Sequence, residues 1–460
     1  MPDWAPELGR SGQPRYREIA DAIERDVRAG RLAPGWKLPP QRRLAEVIGV
    51  DFTTVSRAYA EARSRGLVES HVGRGTFVRS DAAPIAAPAA EADPRRARAR
   101  ALLMNLPPEP RDPELLGAMR EGLRAVSADL IPLMRYQSPT GGEQDRIAAR
   151  LWLSRRGMTP ELDRVVVTPG ATATMAAILP VLTEPGDRVL CEAITYPGLR
   201  SIAHQLRLEL VGVAEDADGI LPDALAAAIG ARRPRAVYLN PTLQNPTTRT
   251  MPEGRRREVA RLLLRHGLPL IEDDAYGFIP PDPPPPFATL APELTWHIGG
   301  LSKWLGAGLR IALVVAPDSR SAHLLGQSIR ATLVMPSPLT AALVTRWIED
   351  GTAERILDFI RSETAARQAI AAEALRGFDF EADPHALNIW LRLPDGAGRA
   401  DLMGQMAGRD IGLMPSDSFT VLGPPSEYVR VCLGGAILRE ELRDGLTFMA
   451  HALSGRSWFG

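Results

Sequence analysis

The amino-terminal part of the chain shows helical hydrophobic patterns followed by two short strand patterns. The first helical pattern has apolar residues every three or four positions, at Tyr16, Ile19, Ala20, Ile23 and Val27. A short helix is predicted at 41–48, and Asp51 can cap a third helix. The apolar face of that helix is Val55, Ala58, Tyr59 and Ala62. With strands at 67–70 and 75–78, the pattern predicts a helix, a helix–turn–helix and a two-stranded wing.

The rest of the chain alternates short apolar runs with helical patterns. Strands are predicted at 165–168, 188–191, 236–239, 269–272 and 311–315, and a helix at 171–182. Apolar strands separated by helices indicate an α/β domain with a mainly parallel sheet. The last part predicts an α+β subdomain with a long helix at 342–375, strands at 387–393 and 428–433, and a closing helix.

A segment rich in alanine, proline and charge at 82–98 separates these two parts and has almost nothing to bury. A chain of 460 residues is also too long for one ordinary domain. We therefore expect a module at 11–80, a linker at 81–100 and a body at 101–460. The small subdomain of the body is expected at about 340–460.

Bulk composition indicates a cytoplasmic protein with a large core. Apolar residues make up 45% of the chain, yet no run is long enough to cross a bilayer and no signal peptide is visible. The two cysteines allow one disulfide at most and no metal cluster. The net charge of zero hides an asymmetry, because residues 11–80 carry 13 lysines and arginines against 8 acids. A basic module suits a polyanionic partner, although such a surplus is usually just a solvated face.

Lysine is almost absent: of 55 basic residues, only Lys37 and Lys303 are lysine. Arginine supplies positive charge at any working pH, but only an amine forms a Schiff base with an aldehyde. Lys303 could be a surface lysine left over in a codon-biased genome, or a residue kept for its amine.

Candidate chemistry lies after the predicted strands, where ligands collect in such sheets. The segments are 168–174, 192–198, 240–248, 272–276 and 303–310. Glycine and the helix start at 168–174 suit a phosphate, although any strand–helix turn can carry them. Three carboxylates in a row, Glu272, Asp273 and Asp274, are costly unless something cationic needs them. No histidine lies nearby in the sequence to complete a transition-metal site, so no metal is expected.

Taken together and in order, these segments resemble the pyridoxal 5′-phosphate enzymes of the aspartate aminotransferase fold (fold type I), over roughly residues 100–455. The resemblance implies that Lys303 forms the internal aldimine with pyridoxal 5′-phosphate and that Asp273 pairs with the pyridinium nitrogen. It implies that Asn245 and Tyr276 bind the phenolic oxygen and that Tyr196 stacks on the ring. The phosphate would be held by Ala171, Thr172 and Arg310.

Two further roles and three departures follow from the same resemblance. Arg430 matches the arginine that grips a substrate carboxylate, and Tyr136 is expected to reach the phosphate of a partner subunit. Gly300 stands where many relatives have a hydroxyl residue, and Ala171 replaces a common serine. The glycine motif that relatives have early in the body is not clear here, where residues 106–110 read Leu-Pro-Pro-Glu-Pro. These departures weaken the case for efficient turnover more than the case for cofactor binding.

The module resembles the winged helix–turn–helix of GntR regulators through the segments 32–45, 49–59 and 73–78. The residues expected to contact double-stranded DNA are Arg42, Arg43, Thr53, Thr54, Ser56, Arg57 and Arg74. The first two would bind phosphates, the next four would start the recognition helix, and Arg74 would enter the minor groove. The usual Ser-Arg pair before the recognition helix is Asp51-Phe52 here, so base preference cannot be copied from relatives.

A winged helix joined by a linker to an aminotransferase-like body resembles the MocR branch of GntR regulators. This implies a homodimeric, head-to-tail transcription factor that senses a small amine or amino acid through an external aldimine in place of Lys303. The alternative is an active aminotransferase with an accessory DNA-binding domain; a body that has lost its cofactor is a third reading. Family precedents leave 4-aminobutyrate, taurine, diamino acids from ectoine breakdown and pyridoxal phosphate itself open as effectors. The operator, and whether the protein activates or represses, also stay open.

Overall fold

A computed structural model of the chain describes residues 4–6, 14–28, 31–32, 35–65, 67–71, 75–78 and 104–454. The chain divides into two compact units, Met1–Pro94 and Arg95–Gly460. The predicted linker at 81–100 and the predicted DNA contact Arg74 lie outside the described residues. The predictions for these residues therefore remain untested.

The first unit has the predicted order of helices and strands. The elements are α1 Arg15–Arg28, α2 Gln41–Ile48, α3 Phe52–Ser64, β1 Val68–His71 and β2 Gly75–Val78. The two strands pair antiparallel, with Val68 opposite Val78. Asp51 caps α3 by accepting a hydrogen bond from the backbone N–H of Thr54. Buried Ile19, Val55 and Tyr59 join the helices into one core, which confirms a winged helix–turn–helix.

The second unit contains a large sheet whose central strands are buried on both faces. The strands are β3 Val165–Thr168, β4 Arg188–Glu192, β5 Glu209–Val213, β6 Glu215–Asp216, β7 Gly219–Ile220, β8 Ala236–Leu239, β9 Leu270–Asp273, β10 Thr295–Gly300, β11 Ala312–Val315, β12 Phe380–Glu381, β13 Asn388–Arg392, β14 Leu413–Pro415 and β15 Tyr428–Cys432. Seven of them form the main sheet in the order β3-β11-β10-β9-β8-β4-β5, with β11 antiparallel to both neighbours. The order confirms an α/β domain with a mainly parallel sheet.

Helices of the second unit cover that sheet and build the small subdomain. They are α4 Pro113–Ser127, α5 Leu130–Leu133, α6 Glu143–Leu153, α7 Ala171–Leu182, α8 Pro197–Gln205, α9 Pro222–Arg232, α10 Glu253–His266, α11 Phe287–Leu290, α12 Ser319–Thr332, α13 Pro338–Glu349, α14 Thr352–Ala374, α15 Arg399–Gln405 and α16 Arg439–Leu453. Separate apolar clusters hold α7 and α12, and α9 and α10, against the strands. The small subdomain is a four-stranded sheet, β12-β13-β15-β14, with α14 and α16 packed together.

Some elements differ from the predictions. The long helix at 342–375 is two helices, α13 and α14, because Gly351 adopts a left-handed φ of 81° between them. Strands β5, β6, β7, β10, β12 and β14 were not predicted. No helix in the described ranges is long and apolar enough to span a membrane.

Candidate functional site

The site lies where β8, β9 and β10 end and α7 begins. A cavity of about 520 Å³ opens there, within the usual size range of ligand pockets. It brings together nine residues that the sequence singled out: Ala171, Thr172, Tyr196, Asn245, Asp273, Tyr276, Lys303, Arg310 and Arg430. The carboxyl ends of parallel strands meet at one edge of a sheet, so separated segments converge.

Lys303 is held at the cavity by its neighbours in sequence. It ends the short turn Leu301–Lys303, directly after β10. Trp304 is fully buried and stacks on Trp152, with ring centroids 4.6 Å apart, which anchors the turn. The Nζ atom of Lys303 donates to the carbonyl oxygens of Met104 (3.0 Å) and Asn105 (2.8 Å).

Burial, together with the charge of Arg430, lowers the pKa of Lys303 from 10.5 to about 8. The same effect appears in nucleophilic lysines, since a desolvated ammonium loses its proton more easily. At neutral pH a useful fraction of Lys303 is therefore the free amine, the form that attacks a carbonyl.

Asp273 is the carboxylate of the acidic triplet that faces the cavity. Its Oδ2 accepts from the Tyr238 hydroxyl at 2.8 Å, and its Oδ1 from the backbone N–H of Ala275 at 3.3 Å. Burial raises the pKa of Asp273 from 3.8 to about 6. Both partners are neutral, and a cation brought by a ligand would stabilise the charged form.

The other two acids belong to a buried ion cluster away from the cavity. Asp274 lies 3.1 Å from both Arg156 and His297, and Glu272 lies 3.9 Å from Arg256. Burial would raise the pKa of Asp274, but Arg156 and His297 outweigh it and hold that pKa well below its usual value. The expected cationic partners therefore exist within the chain.

The expectation that no histidine lies near the three acids holds along the sequence but is wrong for the folded structure. His297 comes from β10, which pairs with β9 and places it opposite Glu272. Even so, the described residues contain no group of three or more histidine, cysteine or acidic side chains arranged to hold a metal ion.

The amide of Asn245 is oriented by its neighbours. Its Oδ1 accepts from Arg430 at 2.8 Å, and its backbone N–H donates to Asn240 Oδ1 at 2.8 Å. Asn240 in turn donates through Nδ2 to the carbonyl oxygen of Asp273 at 2.7 Å. The Nδ2 group of Asn245 is thus the end of the amide left to meet an acceptor in the cavity.

Tyr276 is buried and its hydroxyl accepts from Asn105 Nδ2 at 3.0 Å. Asn105 Nδ2 also donates to Asn388 Oδ1 at 3.0 Å, and Asn388 donates to the carbonyl of Pro246 at 2.8 Å. This network ties the segment before α4 to both subdomains. Burial raises the pKa of Tyr276 above its usual value, so its hydroxyl keeps its proton and can donate.

An anion cradle lies at the start of α7. Gly170 has a φ of 95°, and a Cβ there would lie 3.1 Å from Arg310 Nη2, so glycine lets the arginine approach the helix start. Thr172 and Ser302 line the same cavity. A guanidinium, hydroxyls and a helix N-terminus together suit a phosphate.

The two departures near this cradle are neighbours. A Cβ added at Gly300 would lie 3.2 Å from the Cβ of Ala171. The two positions at which the resemblance implies hydroxyl residues are thus adjacent in space, and the methyl of Ala171 crowds the space next to Gly300.

Tyr196 directly precedes helix α8, and its ring lies against Gly198. A Cβ at Gly198 would lie 2.2 Å from Tyr196 Cε1, so the glycine makes room for the ring. The ring lines the cavity, and its expected stacking role stays a prediction.

Tyr136 is not brought to this cavity. It is 87% exposed and does not line the pocket. Its expected role was toward a partner subunit, so that prediction stays untested.

Several residues of the site were missed by sequence reasoning. They are Met104, Asn105, Met175, Ser201, Tyr238, Ser302, Asn388 and Met414. Tyr238 lies in the predicted strand before the segment 240–248, and that position was the signal that could have found it. Asn105 reaches the site through its positive φ of 50°, which no sequence pattern shows.

The helix–turn–helix of the first unit presents several of the predicted DNA contacts. Arg42, Arg43 and Arg57 are exposed. The Arg57 guanidinium lies 4.9 Å from the centre of the Tyr16 ring.

The Asp51 carboxylate binds the side-chain hydroxyls of the two threonines that were predicted to contact base edges. The hydroxyls of Thr53 and Thr54 both donate to its carboxylate, and these bonds hold the pKa of Asp51 well below its usual value. Each hydroxyl keeps only its acceptor capacity for a base edge.

Comparison with known proteins agrees with this division of the chain. The family described as bacterial regulatory proteins, gntR family, matches residues 15–78, and aminotransferase class I and II matches residues 124–447. The uncharacterized HTH-type transcriptional regulator YdeF of Bacillus subtilis is 29% identical over 98% of this chain and 96% of its own length.

Two other similar proteins have more specific descriptions. The vitamin B6 salvage pathway transcriptional repressor PtsJ of Salmonella typhimurium is 29% identical over 82% of this chain and 85% of its own. Among solved structures, the α-aminoadipate aminotransferase LysN of Thermus thermophilus superposes with a TM-score of 0.69 at 23% identity. That match covers 78% of this chain and 96% of LysN, and it shows the fold.

Proposed function

Because the chain belongs to the class I and II aminotransferase family and carries a GntR-family DNA-binding domain, it is a pyridoxal phosphate-dependent transcriptional regulator of the MocR architecture, and we propose that its body senses a small amine or amino acid. The observation that carries this proposal is Lys303: a buried amine of lowered pKa, in one cavity with Asp273 and Arg310.

The residues of the cavity fit the cofactor. We assign Asp273 to the ring nitrogen, Asn245 and Tyr276 to the phenolic oxygen, and Tyr196 to the ring face. Arg310, Thr172 and the backbone at Ala171 hold the phosphate. When bound, the cofactor supplies an aldehyde carbon that exchanges between the Lys303 amine and an incoming amine.

A sensed amine would release Lys303 and place its own substituents against Arg430. Such a ligand shifts the protein between two states only by its different affinity for each. The module at 11–80 would report the change to DNA through the linker at 81–100, and the body at 101–460 would hold the ligand.

We also propose that the body forms a head-to-tail homodimer. Large apolar side chains are exposed around α4 to α6 and from the end of α12 to the first turn of α13. They are Leu123, Leu130, Ile131, Met134, Tyr136, Ile147, Leu151, Leu333, Val334 and Leu339. Helix α13 packs against both α4 and α6, so these segments are connected. Exposed apolar surface of this kind favours a protein interface, and Tyr136 would reach the partner subunit from it.

On DNA, Arg42 and Arg43 would contact phosphates, and Thr53, Thr54, Ser56 and Arg57 would meet base edges, with Arg74 at the wing. A regulator that works on chromosomal operators acts in the cytoplasm, where we place it.

The second candidate is an active aminotransferase with an accessory DNA-binding domain. The cavity retains Lys303, which can also move a proton, and a 2-aminoadipate transaminase of Thermus thermophilus is 26% identical over 70% of this chain. Against it stand the regulator names of relatives that match nearly the whole chain. Residual transaminase activity is compatible with either function.

One experiment separates the two candidates. The cofactor-loaded full chain is titrated with a panel of amines while its affinity is measured for a duplex selected from a random-sequence pool. A regulator changes that affinity by about 5- to 150-fold with one amine class and releases at most one keto acid per subunit. Many turnovers of keto acid with unchanged DNA affinity would support the enzyme instead.

A further inference from the structure

The first residue of helix α3 is a large apolar side chain that faces solvent. Helix α3 begins at Phe52, directly after the cap residue Asp51. Phe52 is 46% exposed, although phenylalanine is among the residues most often buried in folded domains. The core of the module does not explain this ring, but its position does, because the first residues of a recognition helix meet base edges in the major groove.

The polar groups on either side of Phe52 are bonded to one another. The Asp51 carboxylate accepts from the hydroxyl of Thr53 and from both the hydroxyl and the backbone N–H of Thr54. Both hydroxyls therefore use their protons within the chain and offer a base edge acceptor capacity. The start of α3 adds to this the apolar ring of Phe52.

Arg42 places the Phe52 ring relative to the DNA backbone. Its guanidinium carbon lies 5.8 Å from the centre of the ring, and its side chain is exposed. A cation near the face of an aromatic ring is attracted to it, so the contact restrains both side chains. Helix α2 is the one that crosses the sugar–phosphate backbone in this motif. A phosphate bound by Arg42 would therefore hold the adjacent ring at the major groove.

The major groove contains one large apolar group that such a ring can contact, the C5 methyl of thymine. The other base-edge groups there are hydrogen-bond donors and acceptors. A phenyl ring placed over one of those would deprive it of water without replacing the hydrogen bond, which is costly. Against the thymine methyl, the ring instead buries apolar surface on both sides, which stabilises the complex.

We propose that Phe52 is a specificity-determining residue of the DNA-binding module and that it contacts the C5 methyl of one thymine in each half-site of the operator. This inference rests on the DNA contact by α3 proposed above. Ser56 lies one helical turn further on and is a surface neighbour of Phe52, so it meets an adjacent base pair. The operator then carries a T·A pair where the start of α3 enters the groove.

The experiment removes the methyl without changing base pairing. The duplex preferred by the full chain is selected from a random-sequence pool. Each thymine in it is then replaced singly by deoxyuridine, which lacks only the C5 methyl. Fluorescence anisotropy gives the dissociation constants of the wild type and of Phe52→Ala for every duplex.

We expect one thymine in each half-site to be coupled to Phe52. Its replacement by deoxyuridine should weaken binding by the wild type about fourfold, which corresponds to one buried methyl-sized group. The same replacement should leave binding by Phe52→Ala unchanged, because the ring that covers the methyl is gone.

Two further variants extend the experiment. Phe52→Arg should change the preferred base at that position from thymine to guanine, because arginine binds O6 and N7 of guanine with two bonds. Val47→Ala is the matched control, since Val47 is the other large apolar side chain that the described part of the module exposes, at 59%. It should keep the wild-type response to deoxyuridine. Melting temperatures show whether each variant folds; if Phe52→Ala does not, Phe52→Arg decides.

Failure of this inference can be told from failure of the proposed function. Suppose that the chain selects a duplex, but that deoxyuridine affects the wild type and Phe52→Ala equally at every thymine. Phe52 then reads no methyl and the inference is wrong, while DNA binding stands. An unchanged base preference in folded Phe52→Arg would overturn it in the same way. A selection that yields no preferred duplex would overturn the inference and the DNA-binding function together.

Discussion

The cavity and the layer of side chains beneath it handle buried charge in opposite ways. At the cavity, Asp273 and Lys303 are held by neutral groups, a tyrosine hydroxyl and backbone carbonyls. Beneath it, Asp274 is held by Arg156 and His297. Asp273 and Asp274 are adjacent in sequence, yet the pKa of the first is raised and that of the second is lowered. The charges that we assign to ligand binding are positioned by neutral groups, whereas those of the buried cluster have oppositely charged partners within the chain.

The largest expected effect comes from breaking the structural cluster. Asp274→Asn leaves Arg156 and His297 buried against a neutral amide, and we expect a loss of about 3–5 kcal/mol in the free energy of unfolding. Urea denaturation of the cofactor-free protein at pH 7 measures it.

The matched variant is Asp273→Asn, one residue earlier. The raised pKa of Asp273 means that its ionised form costs stability, a cost absent below about pH 4 and complete above about pH 6. At pH 7 the variant should therefore be as stable as the wild type or up to about 3 kcal/mol more stable, while cofactor affinity falls. Equal losses of stability in both variants would contradict the comparison.

The first unit offers a second matched pair with a smaller effect. Arg57 rests on the Tyr16 ring, whereas Arg65 is paired with Asp21, Glu24 and Glu61. Arg57→Ala should weaken binding to the selected duplex by about 1–3 kcal/mol with little change in stability.

Arg65→Ala should do the reverse, lowering stability by about 1 kcal/mol while duplex affinity holds. Fluorescence anisotropy and thermal melts distinguish the two variants. The comparison fails if Arg65→Ala alone weakens DNA binding.

A further test uses the pH dependence of Lys303. Because its pKa is about 8, the rate at which the cofactor-free protein captures pyridoxal phosphate should rise with pH and level off above about 8, where the amine is free. Arg430→Met removes a cation that lowers this pKa, so its midpoint should move to higher pH. Stopped-flow absorbance gives both profiles, and coincident midpoints would argue against coupling between the two residues.

The smallest effect is expected where a pair lies in solvent. Arg124 and Glu121 form an ion pair at 3.2 Å with both side chains mostly exposed. Arg124→Ala should change the free energy of unfolding by less than about 0.5 kcal/mol, measured by the same urea titration. A loss as large as that of Asp274→Asn would mean that burial does not determine how much a charge contributes to the free energy of unfolding.

The parts of the fold that local patterns dictate were predictable. The predicted bounds of β3, α7 and β8 coincide with the observed ones, since each is a short apolar run next to a turn. The break at Gly351 was missed although Asp350-Gly351 is a turn signal between two apolar helical patterns. Strand β10 contains Thr295, Trp296 and Ile298, which favour strands, but His297 and the terminal Gly299 and Gly300 interrupt its apolar run. Pairing with β9 and β11 holds it in the sheet.

For the site, the nine residues that meet in one cavity were named by the resemblance to fold type I enzymes, and most of them lie in segments that follow a strand. What it could not supply was contact between distant segments. Asn105 meets Tyr276 across 171 positions, and His297 meets Asp274 from a neighbouring strand. Such contacts depend on strand order and backbone conformation, which local patterns do not encode.

The central claim is that Lys303 holds the cofactor covalently and gives it up to an amine. Borohydride reduction of the cofactor-loaded protein, followed by peptide mapping, tests it directly. We predict that the cofactor is found on the peptide containing Lys303 and is lost from it when a saturating amine to which the protein responds is present before reduction. Cofactor on Lys37, on no peptide, or still on Lys303 with every amine of the panel would contradict the claim.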